Sequence, residues 1–176
     1  MDKEEKSMNS NVVLIGMPGV GKSTVGIVLA KHLGYDFVDS DLVIQKEEGG
    51  LLHQLIAKQG LEGFLETENR INAALSPKNS VIATGGSAVY GKEAMEHFAA
   101  IGQIIYLRLG LDTLIKRLGD LTRRGVAMKK GQSLEDLYKE RVPLYEKYAN
   151  LVIDCEEKEI RQIVEEIARW WNDEKK

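Results

Sequence analysis

The stretch "IGMPGVGKST", residues 15–24, closes a short apolar run and opens a long segment of helical spacing. It matches G-x-x-x-x-G-K-[ST], a pattern whose glycines let successive backbone N–H groups turn inward onto phosphate oxygens. The helix that follows adds the positive end of its dipole. In this pattern Lys22 is placed to reach the β and γ phosphates of a nucleoside triphosphate, and Ser23 offers its hydroxyl to a magnesium ion. The motif leaves the destination of the phosphate open: water, another nucleotide or a small hydroxylated acceptor.

Around this cradle, apolar runs alternate with longer segments of helical period. The predicted strands are "NVVLIG" (11–16), "YDFVD" (35–39), "SVIATG" (80–85), "QIIYLRL" (103–109) and "LVIDC" (151–155). Helical spans are expected after the cradle, over 42–75, in "KEAMEHFA", within 111–149 and at the end of the chain. Near-continuous apolar strands separated by helices imply a parallel sheet covered on both faces. Gly34 is expected to stop the first helix. Ser133 and Asp136 suggest a capping box. In the last helix Ile160, Ile163, Val164, Ile167 and Trp171 form one stripe, read as core, with Trp170 at its shoulder.

The chain has 176 residues, 43% hydrophobic and 29% charged, a size and composition suited to one α/β domain. A net charge of −3 leaves no basic stripe for nucleic acid. No apolar run approaches the roughly 18 residues that would span a membrane. Residues 1–10, "MDKEEKSMNS", are charged and lack an apolar core; they read as a flexible leader on a cytoplasmic protein. The single cysteine, Cys155, excludes an internal disulfide and reads as a small buried hydrophobe. His32, His53 and His97 have no ligand spacing.

Three features bear on where the phosphate goes. No N-K-x-D segment is present to read guanine. "DSD" (39–41) sets Asp39 and Asp41 at a strand's carboxyl end, where α/β sheets gather ligands. Read as extended chain, the two carboxylates share one side, so one can order magnesium-bound water while the other meets an acceptor hydroxyl. Asp154, closing the last strand, is a second candidate acid and reads as structural. "RLGDLTRRGVAMKKG" (117–131) is basic and Gly-punctuated, as a mobile cover over transferring phosphate would be.

The cradle, "DSD", "GFLETE", "ATGGSAV", the basic segment and "ERVPLYEKYA" follow one another in the order and spacing of the shikimate kinase family, which the chain resembles from about residue 11 to 168. The resemblance implies a three-layer fold, a five-stranded parallel sheet with helices on both faces, with a lid over about 117–133. It implies transfer of the γ-phosphate of ATP, with Mg²⁺, to the 3-hydroxyl of shikimate by a protein acting as a monomer. Position by position, Gly19, Val20, Gly21, Lys22, Ser23 and Thr24 match the ATP-binding loop, with Ser23 the magnesium ligand and Asp39 the acid that orders the metal's water. Asp41 matches the acid that holds the acceptor hydroxyls. Gly85 and Gly86 match the first two residues of an acceptor-lining triple glycine. Arg117 matches an arginine against adenine. Arg124 matches a lid arginine on the phosphates, with Arg123 beside it as the alternative. Arg141 matches an arginine that pairs with the acceptor's carboxylate. The chain departs from the family at Leu65, where an anchoring arginine is usual, at Ser87 in place of the third glycine, and at "RGVA" (124–127) in place of Arg-Pro-Leu-Leu. Glu68 matches a glutamate that would face the arginine missing at 65.

Overall fold

The computed structural model describes residues 10–119 and 125–175. Five parallel strands are present: β1 (Asn11–Ile15), β2 (Asp36–Asp39), β3 (Ser80–Ala83), β4 (Gly102–Arg108) and β5 (Leu151–Asp154). They lie in the order β2-β3-β1-β4-β5. The central strand β1 pairs Val12–Leu14 with Val81–Ala83 on one side and Asn11–Ile15 with Gly102–Tyr106 on the other. Every residue of β1 and β3 is buried, as expected for strands covered on both faces.

The helices are α1 (Lys22–Leu33), α2 (Ser40–Glu48), α3 (Leu52–Ala74), α4 (Lys92–Ile101), α5 (Leu111–Leu118), α6 (Leu134–Tyr148) and α7 (Ile160–Glu174), with a 3₁₀ turn over Ala88–Tyr90. Helix α1 packs against α7 and against β3, whereas α3 packs against α4, which lies along β4. The main core gathers Val12–Ile15, Val81, Ile82, Ile104–Leu107, Leu29, Phe98 and Trp171. A second apolar cluster, Ile44, Leu55, Phe64, Ile71 and Ala127, joins α2 to α3, with Leu65 packed against it.

Local signals account for most boundaries. Gly34 ends α1 in the left-handed region, φ 69°, with its N–H on the Ala30 carbonyl. Ser133 and Asp136 form the expected capping box at α6, each side chain taking the other's backbone N–H at 3.1 Å. The start of β1 is clasped by Asn11, whose amide donates to the Pro77 and Ile101 carbonyls and accepts from Ser80 N–H. Ser10 is buried, and its hydroxyl accepts from Asn79 N–H at 3.1 Å, so the last residue of the expected leader is packed into the fold; residues 1–9 lie outside the described residues. Cys155 is buried, as its reading required.

Three expectations change. The span 42–75 is not one helix: Gly49 ends α2 at φ 70°, and α3 is itself kinked at Gly60, φ 74°. Ser40 and Asp41 belong to α2 rather than to extended chain, because Asp39 caps the helix and draws the next residues into its first turn. In α7 the stripe runs through Ile163, Val164, Ile167, Ala168 and Trp171, while Ile160, in the first turn of the helix, is 41% exposed. Ile167→Ala should therefore cost about 2–5 kcal/mol of unfolding free energy and Ile160→Ala no more than about 0.5 kcal/mol, read from urea midpoints. Equal losses would mean that the whole stripe is core.

Candidate active site

The carboxyl ends of β1, β2 and β3 open onto one cavity of about 290 Å³. Its wall includes Gly19, Gly21, Lys22, Ser23 and Thr24 from the cradle, Asp41 from α2, Thr84–Ser87 beyond β3, Val126 and Ala127, and Arg141 from α6. The cradle leaves β1 at Gly16, where φ is 149° and a Cβ would sit 2.6 Å from the Leu107 carbonyl oxygen. Only glycine can make this turn against a neighbouring strand. Val20 turns its side chain into the core, so its contribution to the loop is backbone alone.

Lys22 is 8% exposed and donates from Nζ to the Gly16 and Met17 carbonyls at 2.7 and 2.9 Å. Burial lowers its pKa to about 8, with Asp41 pulling the other way. Ser23 donates to Asp39 Oδ2 at 2.9 Å, and Asp39 Oδ1 accepts from Asp41 N–H at 3.0 Å. One carboxylate thus holds the cradle hydroxyl and caps the helix that carries Asp41. Asp41 reaches the cavity from that first turn, and burial, then the neighbouring charge of Asp39, raises its pKa to about 6. The two acids are linked through the cap, not through the extended geometry that the spacing suggested, and of the two only Asp41 lines the cavity.

Gly85 and Gly86 leave the room their missing side chains would fill. A Cβ on Gly85 would lie 2.6 Å from Asp41 Oδ1 and 2.8 Å from Glu68 Oε1; one on Gly86 would lie 2.9 Å from an Arg141 guanidinium nitrogen. Arg141 is fully buried, donates to the Ala127 carbonyl and stacks over the Tyr90 ring at 5.3 Å. The Tyr145 hydroxyl holds the Gly86 carbonyl at 2.6 Å, and its ring stacks on Tyr106. Arg117 lies on the outer side of the loop, donating to the Gly19 and Val20 carbonyls at 3.4 and 3.5 Å, and does not line the cavity. Arg123 and Arg124 lie outside the described residues. Leu65 packs into the second cluster and supplies nothing to the cavity wall. Asp154 pairs with Arg108 on the surface at 3.4 Å, in keeping with a structural role. His32 and His53 are exposed, and His97 bonds the Leu75 carbonyl.

Sequence reasoning missed Thr84, Tyr90 and the bond from Ser87 Oγ to Glu68 Oε2, 2.6 Å long. No local pattern marks Tyr90 or Thr84. The bond was legible only in the coincidence of two departures, at positions 65 and 87.

A family model described as shikimate kinase matches residues 18–172. A shikimate kinase of Thermodesulfovibrio yellowstonii is 36% identical over 90% of this chain and 93% of its own length. One from Haemophilus influenzae is 36% identical over 90% of each. The solved shikimate kinase of Acinetobacter baumannii in complex with shikimate superposes with a TM-score of 0.86 at 30% identity over 98% of both chains. By sequence along nearly its whole length, and by fold, the chain belongs to the shikimate kinase family.

Proposed function

We propose that the protein transfers the γ-phosphoryl group of ATP to the 3-hydroxyl of shikimate, as a cytoplasmic monomer. The carrying observation is the single cavity that joins the cradle to Asp41, Gly85, Gly86 and Arg141. A donor nucleotide and a hydroxylated carboxylate can meet there without crossing solvent. Among the described residues no helix is long and apolar enough to cross a membrane.

In this reading the cradle N–H groups and Lys22 hold the phosphates and meet the charge that gathers on them during transfer. Asp41 takes the proton of the attacking hydroxyl as the new O–P bond forms and ADP departs. Arg141 pairs with the acceptor's carboxylate, the strongest contact available to an anion in this pocket. Arg117 lies against adenine, and the segment 117–133 closes over the phosphates with Arg124. Ser23 and Asp39 suit Mg²⁺: a hydroxyl and a carboxylate are hard oxygen donors, and this ion completes its octahedron with water and phosphate. Bound there, it would neutralise phosphate charge.

The direct test is ADP release with shikimate, scored against the same mixture without acceptor and against a panel of sugars and nucleosides. Release stimulated by another acceptor alone would overturn the shikimate reading. Lys22→Ala should leave a folded protein whose turnover is down by about 10²–10³, the loss typical of one preorganised donor; near-native turnover would unseat the phosphate assignment.

The two acids separate by their metal response. Asp41→Asn should abolish most turnover and keep ATP half-saturation within a few-fold. Asp39→Asn should instead raise the magnesium concentration needed for half-maximal rate. Identical magnesium profiles would contradict this division.

A pH profile gives an independent reading. Asp41 is charged above about 6 and Lys22 below about 8. With the acceptor saturating, kcat/KM for ATP should therefore fall on both sides of that window, the acid limb from Asp41 and the alkaline limb from Lys22. Removing the Asp39 charge lowers the Asp41 pKa, so Asp39→Asn should move the acid limb down. An unmoved limb would assign it to another group.

A further inference from the structure

Glu68 is 2% exposed, and among the described residues it is in no ion pair. Ser87 donates to its Oε2 at 2.6 Å, while Oε1 is buried without a hydrogen-bond partner. That free oxygen and Asp41 Oδ1 flank the space left by the absent side chain of Gly85, on the cavity wall. Of the three places at which this chain leaves its family's pattern, Ser87 bonds this carboxyl group directly, and Leu65 stands where the family's arginine would face it. Leu65 removes the cation that would neutralise Glu68, and Ser87 supplies a neutral hydroxyl in its stead.

We propose that Ser87 and Glu68 set the acceptor specificity of this chain: Ser87 fixes Glu68 so that its free oxygen stands beside Asp41 at Gly85, and the charge on Glu68 decides whether an anionic acceptor is admitted. This rests on the reading of the Gly85–Arg141 wall as the acceptor site. A neutral donor satisfies one oxygen but offsets no charge, so a buried carboxyl beside a second carboxylate holds its proton. The charged groups facing Glu68 are Asp41 from α2, Arg141 from α6 and Lys22 from α1. Burial is the largest influence and raises its pKa to about 7; the Ser87 bond lowers it, and Asp41 raises it further. Neutral below that value, Glu68 leaves Asp41 as the one carboxylate on this wall that offsets the pull of Arg141 on an anionic acceptor. Ionised above it, Glu68 adds a second negative charge beside Asp41, and an anionic acceptor is repelled.

The test is half-saturation for shikimate between pH 5.5 and 8.0, with ATP saturating at each pH. Wild type should weaken about ten-fold across that range. Glu68→Gln, which mimics the neutral carboxyl, should change less than about two-fold. Ser87→Ala removes a bond that favours the charged form, so its transition should move to higher pH. A flat wild-type profile, or a Glu68→Gln profile that tracks wild type, overturns the proposal. Carbon-13 NMR of the Glu side-chain carboxyls in the full chain, with Glu68 assigned by its loss in Glu68→Gln, reads the same group without turnover. Titration near neutrality supports the proposal, and a Glu68 already ionised at pH 5 overturns it. A wild type inert on shikimate at every pH sinks the acceptor reading instead, and the carboxyl titration then decides whether Ser87 and Glu68 behave as proposed.

Discussion

The carbonyl oxygen of Leu107 stands 2.6 Å from where any side chain on Gly16 would begin. The central strand must therefore leave the sheet between two hydrogen-bonded neighbours with no substituent at its last turn. From that constraint the rest follows in sequence. The backbone bends back at once, the loop carbonyls of Gly16 and Met17 face Lys22, and α1 starts with its N-terminus over the cavity. The strand supplies rigidity, since each of its residues is buried, and the loop supplies the concave face. A phosphate site built this way needs no flexible element to form it.

The second determinant is the removal of charge from water. Lys22, Asp41 and Arg141 line one cavity of about 290 Å³, with Glu68 buried beside Gly85 on its wall, and burial is the leading cause of every resolved shift among Lys22, Asp41 and Glu68. Lysine is pushed toward losing its proton and the two carboxyls toward keeping theirs, all converging on neutrality. Arg141 brings a guanidinium to the same wall, donating to the Ala127 carbonyl and lying over the Tyr90 ring. It is thus the fixed positive charge of the pocket, while the others adjust around whatever binds.

Much of this was legible in the residues. Strand positions and type followed from apolar runs, and the caps at Gly34 and Ser133 from residues with a local backbone preference. What failed was reasoning that used a local period beyond its reach. "DSD" reads as extended by continuation of β2, yet an aspartate at a strand end is also the best start for a helix, and the cap prevails. Ile160 fits the spacing of the α7 stripe but lies exposed in the first turn, and no spacing reports where along a helix its packing begins. The Ser87–Glu68 bond joins residues 19 apart on separate elements and depends on the turn that follows β3. Sequence identifies such residues as unusual without showing that they touch.

Asp39 carries two duties in a single side chain: one oxygen anchors the first turn of α2, and the other receives the hydroxyl of Ser23. Substitutions at this position consequently divide by shape before they divide by charge. Alanine would cost the helix its cap, about 1 kcal/mol in typical cases, and would loosen the element that aims Asp41. Asparagine keeps the cap through its one oxygen, but it loses the charge and sets a donating amide toward the Ser23 hydroxyl in place of the second oxygen. A copy of this chain freed from any catalytic demand would still be held to a short polar acceptor here, so a polar residue at 39 serves the folding of α2 as much as the handling of a nucleotide.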